Sequence, residues 1–301
     1  MSKGTDHSRL LVVGNATEDL SFQVPHLPQP GETLISDAYT SDLGGKGLNQ
    51  AVIAARCGVA VSLVAPLGRD PVADKVRALA VSENLDAQLF HLVDRTDKSV
   101  ISVSKLGENT IISSALAADS LGPSMAVASV AAFGPGDALL VQGNLSIETT
   151  RSVLTAACDR DVATYANPSP IRWDWKTLFP LVGTAIVNRL ELAILSGLEN
   201  FEGGVEALLA AGCSRVLVTL GAEGAVLVDG SRRWDQPAIS RQVVDTAGAG
   251  DTFCGVFVAR ELLGDDPQRA LEHAAETAGI TVSRHGTLSA FPDSGLLAAY
   301  P

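Results

Sequence analysis

A carboxylate that follows a glycine-rich turn can accept a proton where backbone amides hold an anion, and Asp245-Thr246-Ala247-Gly248-Ala249-Gly250-Asp251-Thr252-Phe253 has that form. The turn runs without a break into residues 253–263, with Phe253, Val256, Phe257 and Leu263 at helical spacing and Gly264 placed to end the run. It is therefore expected at a helix N-terminus, where the first NH groups have no internal partner and Gly248 and Gly250 keep Cβ atoms away from an anion. A phosphoryl group in transfer suits such a place, and Asp251 would take the proton of the attacking hydroxyl. A plain glycine turn, with Asp251 complementing the helix dipole, fits the same residues.

A second glycine cluster, Gly44-Gly45-Lys46-Gly47, lacks the GxxxxGK[ST] spacing of a phosphate-binding P-loop but implies close backbone approach. Lys46 and Asn49, about one helical turn apart, could offer one ligand a cation and an amide, or be a solvated lysine at a helix start. Asn188-Arg189-Leu190-Glu191 reads first as a capping box, Asn at the cap and Glu three residues on. Its place after a buried strand, where open α/β sheets put ligands, also suits a magnesium ion held through water. Thr219-Leu220-Gly221-Ala222-Glu223-Gly224 follows another strand and either borders a nucleotide or turns one strand into the next. No GxSxG elbow, HExxH or Cys/His spacing points to a hydrolase or a zinc enzyme.

The elements that must hold these residues alternate. Apolar runs at 10–14, 61–65, 138–141, 162–165, 184–187 and 216–219 read as buried strands. Helices are expected at 51–56, from the Asp70-Pro71 start, and at 147–158, 189–196, 205–211 and 266–283, with a hairpin turn at Asp229-Gly230. This pattern predicts an α/β fold with a mostly parallel sheet covered on both faces. Gly14-Asn15-Ala16-Thr17-Glu18-Asp19 after the first strand is no GxGxxG, which excludes a dinucleotide-binding unit. Two β-prone regions stand outside the alternation, 22–43 with its run Thr33 to Thr40, and 99–114 with strands on either side of Gly107-Glu108-Asn109. They are expected to form a small antiparallel sheet set apart from the core.

The chain has 301 residues, 46% hydrophobic and 19% charged, which is the composition of a globular protein. A formal charge of -12 with no Lys/Arg cluster speaks against nucleic acid as a partner. The polar N-terminus and the lack of a run of about 18 apolar residues predict no membrane span and a cytoplasmic protein. Cys57, Cys158, Cys213 and Cys254 are expected as reduced core residues.

Gly44-Gly45-Lys46-Gly47-Leu48-Asn49-Gln50-Ala51 and Asp245-Thr246-Ala247-Gly248-Ala249-Gly250-Asp251-Thr252-Phe253 resemble the two signatures of the ribokinase (PfkB) family of sugar kinases. Asn188 to Glu191 is similar to the family's NxxE motif, and Thr219-Leu220-Gly221 to its nucleotide-side strand end, so the likeness runs in order along almost the whole chain. It implies a ribokinase-like three-layer core, one domain over 1–301, with a β-sheet lid at about 15–43 and 96–116. It further implies transfer of the ATP γ-phosphate to a hydroxyl of a small sugar, a pentose in the ribokinase type, with Mg²⁺. A nucleoside kinase of the same family, or a sugar or nucleotide sensor without catalysis, are the alternatives. An isolated small sheet with an apolar face needs covering, so a homodimer joined through the lid is expected. By this resemblance Asp251 is the base and the NH groups of Gly248, Ala249 and Gly250 are the anion hole. Asp19, Gly45, Lys46, Asn49 and Asn144 line the sugar site, and Asn188, Thr219, Gly221 and Gly224 the nucleotide site. Glu191 with Asn188 holds magnesium through water, and potassium sits near Asp245, Ala247 and the loop 283–290, which lacks the family's usual Pro-Ser. Thr17 stands where ribokinases commonly have Asn, and Asn144 where they commonly have Glu.

Overall fold

The computed structural model describes residues 8–105 and 109–298. The first half runs β1 (Arg9–Val13), β2 (Thr17–Val24), β3 (Ala38–Gly44), α1 (Lys46–Arg56), β4 (Ala60–Gly68), α2 (Pro71–Ser82) and β5 (Asp86–Val93). It continues through β6 (Lys98–Ser104), β7 (Asn109–Ser113), α3 (Leu116–Ser120) and α4 (Pro123–Val130). The second half is β8 (Ala138–Gln142), α5 (Ile147–Cys158), β9 (Ala163–Asn167), β10 (Thr184–Asn188), α6 (Arg189–Ser196) and α7 (Phe201–Ala210). The chain closes with β11 (Arg215–Thr219), β12 (Ala225–Asp229), β13 (Arg232–Gln236), α8 (Ala249–Leu262), α9 (Pro267–Val282) and α10 (Ser294–Ala298).

Among the described residues nine strands form the large sheet, in the order β13-β12-β11-β10-β9-β8-β1-β4-β5. Pairing is parallel from β11 to β5 and antiparallel at β12 and β13. Strand alternation splits the core into two layers. Leu10 and Val12 of β1 and Leu140 of β8 face a cluster with α1, α8 and α9, while Leu11, Val13 and Leu139 face one with α4, α5 and α7. Each large side chain buried this way contributes about 1.5–3 kcal/mol.

Helix α8 is buried almost continuously from Asp251 to Ala259 because it lies between α1 and α9 rather than at a surface. Its contact with α1 is very close. A Cβ on Gly255 would stand 2.4 Å from Ile53 Cγ2.

A second sheet has the order β3-β2-β6-β7, antiparallel apart from the parallel β2/β6 pair. A parallel pair is possible here because β3, α1, β4, α2 and β5 intervene between those strands, long enough for a crossover. Register gives it two unlike faces. Asp19, Asp42, Ser99 and Ser113 share one row and face, whereas Leu20, Val100 and Ile112 form the next row on the other. Phe22 and Tyr39 extend that apolar face and stack with ring centroids 5.7 Å apart.

Several expected boundaries move. The β-prone run Thr33 to Thr40 enters a strand only at Ala38, and β2 and β5 are strands that the apolar pattern does not announce. Three prolines and Gly31 break the chain before Ala38, and β2 mixes polar with apolar residues because one face looks onto the site. Helix α1 starts at Lys46 rather than Ala51, directly after Gly45. Of the turn expected at Gly107-Glu108-Asn109, Gly107 and Glu108 lie outside the described residues, and Asn109 opens β7. Of the cysteines only Cys213 and Cys254 are buried; Cys57 is half-buried and Cys158, the last residue of α5, is exposed.

Candidate active site

The parallel strands β8, β9, β10 and β11 each end on a polar residue, Gln142, Asn167, Asn188 and Thr219, which lines up a polar row at the carboxyl edge of the sheet. Helices α1 and α8 begin beside this edge, and the candidate residues arrive from both.

Gly248 caps α8 in the left-handed region with φ 75°, and a Cβ there would press within 2.7 Å of the Phe291 ring. The first-turn amides of Gly250 and Asp251 therefore have no intrahelical acceptor, whereas Ala249 spends its NH on Thr246 O at 3.4 Å. Asp245 organises the turn. Its Oδ1 accepts from Ala247 N at 2.9 Å and its Oδ2 from Gly286 N at 3.1 Å, joining the turn to the loop after α9.

Asp251 is 7% exposed, a charge that must be partnered. Its side-chain partners among the described residues all come from α1. Asn49 Nδ2 donates to Oδ2 at 2.9 Å, Gln50 Nε2 donates to Oδ1 at 2.9 Å, and Lys46 Nζ lies 3.5 Å from Oδ1. Gln50 stands within the first signature but has no role among the expected site residues, and neither have Gln142 and Asn167, which hydrogen-bond it. A polar residue closing a buried apolar strand is the signal that marks the last two.

Gly45 is required where it stands, since φ is +95° and a Cβ would meet Ala16 Cα at 2.8 Å. The loop thereby rests on the β1–β2 connection, and Leu48 N reaches Asn15 O. Burial alone would lower the Lys46 ammonium, but the Asp251 and Glu191 charges outweigh it and hold Lys46 above its ordinary value.

From the small sheet comes Asp19, whose Oδ2 would be 2.0 Å from a Cβ on Gly44, so the carboxylate lodges at the start of the glycine loop. Burial, reinforced by Asp251 and Asp42, outweighs hydrogen bonds from Thr17 and Ser99 and pushes Asp19 above the usual aspartate range. Thr17 Oγ1 donates to Asp19 Oδ1 at 2.7 Å.

Asn144 follows β8. Its backbone O accepts from Arg172 at 2.6 Å, and Arg172 forks onto Asp119 at 2.7 and 2.8 Å. The Asn144 Oδ1 is buried without a hydrogen-bond partner among the described residues.

Asn188 and Glu191 form the complete capping box of α6, Asn188 Oδ1 accepting from Glu191 N at 2.8 Å and Glu191 Oε2 from Asn188 N at 2.9 Å. The cap does not exhaust Glu191. Its other oxygen has no hydrogen bond among the described residues, and its charge reaches Lys46. No three His, Cys, Asp or Glu side chains gather for direct ligation among the described residues, and a magnesium ion that keeps its waters fits this donor set. Thr219, Gly221 and Gly224 sit on the tight turn joining β11 to antiparallel β12, and a Cβ on Gly224 would meet Gln236 O at 2.0 Å. The strand-to-strand reading of that segment is thus correct, and it lies at the same carboxyl edge.

The sequence profile of the pfkB family carbohydrate kinases matches residues 7–294. The chain belongs to this family. It is therefore a phosphotransferase with an alcohol group as acceptor. It is 30% identical over 290 residues to the ribokinase of Haemophilus influenzae, covering 94% of this chain and 95% of that one. The Thermotoga maritima ribokinase structure superposes with a TM-score of 0.87 at 27% identity, covering 97% of this chain and 98% of that one. An Arabidopsis thaliana ribokinase solved with ribose and ATP gives 0.82 at 26% identity, covering 97% and 98%. The ribokinase-like three-layer fold with its small extra sheet follows.

Proposed function

We propose that the chain transfers the γ-phosphoryl group of ATP to a hydroxyl of a small sugar, a pentose, with Asp251 as the base. The observation that carries this is the placement of a buried, amide-held carboxylate within one turn of free helix N-terminal amides. The sugar hydroxyl loses its proton to Asp251 as its oxygen bonds to the γ-phosphorus. The bond from that phosphorus to the bridging oxygen breaks, and the electron pair leaves with ADP. The amides of Gly248 and Gly250 offset the charge on the transferred group, while Lys46, Asn49 and Asp19 hold the sugar. The Arabidopsis relative that holds ribose and ATP supports this choice of substrates.

Magnesium, held through water by Glu191 and Asn188, would draw charge from the phosphates when bound. Potassium would sit where Asp245 draws the Ala247 turn and the Gly286 loop together. Residues 1–301 act as one kinase domain, and the parts at 15–43 and 96–116 act as its lid, with the Asp19 face over the sugar. The opposite face leaves Tyr39 66% and Ile112 72% exposed, which supports pairing of two lids in a homodimer. No helix among the described residues is long and apolar enough to cross a membrane, and we place the protein in the cytoplasm.

Steady-state turnover of ATP across pentoses, hexoses and nucleosides tests the function. A pentose is expected to have the highest kcat/KM; preference for a nucleoside would make this a nucleoside kinase, and binding without turnover a sensor. Asn144 is neutral where a glutamate would offer a full charge, and loss of one charge-assisted bond costs about 1.5–3 kcal/mol. D-ribose is therefore expected to be bound about tenfold more weakly than in a protein with Glu at that place, and Asn144→Glu to improve it.

A further inference from the structure

The carboxamide of Gln50 is fully buried and is held in one orientation by its neighbours. Asn167 donates through Nδ2 to Ile186 O at 2.9 Å, so its Oδ1 faces Gln50 as an acceptor. Gln50 Nε2 donates to that oxygen at 3.2 Å and to Asp251 Oδ1 at 2.9 Å, while Gln50 Oε1 accepts from Gln142 Nε2 at 2.8 Å. Reversing the Gln50 amide would set its oxygen against two acceptors and its NH2 against a donor. A backbone carbonyl of β10 thus dictates which end of Gln50 meets the base.

The consequence lies in the lone pairs of Asp251. Oδ1 takes Gln50 and faces Lys46 at 3.5 Å, whereas among the described residues Oδ2 takes only Asn49. A carboxylate oxygen accepts about two hydrogen bonds, so Oδ2 keeps the open lone pair. We propose that Gln50 is a positioning residue for phosphoryl transfer, its amide fixed by Asn167 and Gln142 so that it occupies Asp251 Oδ1 and leaves Oδ2 to receive the sugar proton. This rests on Asp251 being the base. The charged and titratable groups around Asp251 are Lys46 of α1, Asp19 of β2 and, on its own helix, Cys254, with Glu191 of α6 acting on Lys46.

The test is the pH dependence of kcat in wild type, Gln50→Met, Gln50→Glu and Asp251→Asn, with thermal melts of each. Methionine removes the donor and leaves apolar atoms beside the carboxylate. Its acid limb is expected to move up by about one pH unit and its plateau to fall about tenfold, with little change in the KM for ATP. Glutamate restores the donor only while protonated. Gln50→Glu should therefore recover turnover over Gln50→Met at low pH, then show a falling limb at higher pH, absent from wild type, as two carboxylates come to face each other. A merely structural Gln50 would change melting and leave the shape of every profile alone. Wild-type turnover and profile in Gln50→Met overturn the proposal, and if that variant does not fold, a Gln50→Glu profile without the falling limb does so. Unmoved Gln50 profiles beside an inactive Asp251→Asn reject only the role of Gln50; full turnover in Asp251→Asn rejects the base and Gln50 together.

Discussion

A Cβ on Gly255 would stand 2.8 Å from the backbone oxygen of Gln50, so helices α8 and α1 meet with no room for a side chain at position 255. Gly255 is one turn beyond Asp251 on the same helix. The separation of these two backbones sets the distance at which the carboxylate meets the amides of Asn49 and Gln50.

Gly255→Ala must force the helices apart. Overpacking of this kind costs about 1–3 kcal/mol, so the melting temperature should drop. Turnover should fall as well, about tenfold, because the 2.9 Å bonds to Asp251 lengthen. Thermal melts and steady-state kinetics check both parts; a lower Tm with unchanged kcat would mean the site tolerates the shift.

Asp251→Asn keeps the shape of the side chain and removes its basicity. The expected loss is about 10² to 10⁴ in kcat, with ATP affinity near wild type, since the proton moves only in the transition state. Single-turnover kinetics beside calorimetric ATP binding separate the two quantities.

Glu191→Gln preserves the cap of α6, because Gln is accepted at that position of a capping box. A change in function therefore cannot be ascribed to a frayed helix. The variant should need more magnesium for half-maximal rate and recover part of its activity at high Mg²⁺. An Mg²⁺ titration that overlays wild type would leave Glu191 with the cap alone.

Asp19 lies above the usual aspartate range because of its burial and its acidic neighbours. A folded value above the unfolded one, about 4, means its contribution to stability is fully present below that pH and is lost as pH rises through the folded value. Asp19→Asn should therefore be the more stable protein at pH 7, with Tm higher by about 2 °C, and lose that advantage near pH 4. Its KM for the sugar should rise. Melts from pH 4 to 8 decide the first point, and a difference in Tm independent of pH would reject it.

The helix opened by Gly248 and the strand before Asn188 were legible because glycine turns, caps and apolar runs are local properties of the chain. Strand β2 was not, although Leu20, Phe22 and Val24 alternate with polar residues as in a half-buried strand, because a pattern of continuous apolar runs passes over such alternation. Gln50 escaped for another reason. Its partners Asn167, Gln142 and Asp251 are brought to it by the order of strands in the sheet and by the α1–α8 contact, none of which is encoded in neighbouring residues. Thr219 to Gly224 was ambiguous in sequence because a tight turn at the end of a strand is needed whether or not a nucleotide lies beside it.

The carboxylate of Asp245, by binding Ala247 N and Gly286 N together, makes the tail of the chain a structural partner of the turn that opens α8. For circular permutation or reporter insertion this sets out where the chain tolerates a cut. New termini between α9 and α10 would untie the turn, while the exposed hairpin tip at Gly230, with nothing within 4 Å of a Cβ, can be opened or lengthened far from it.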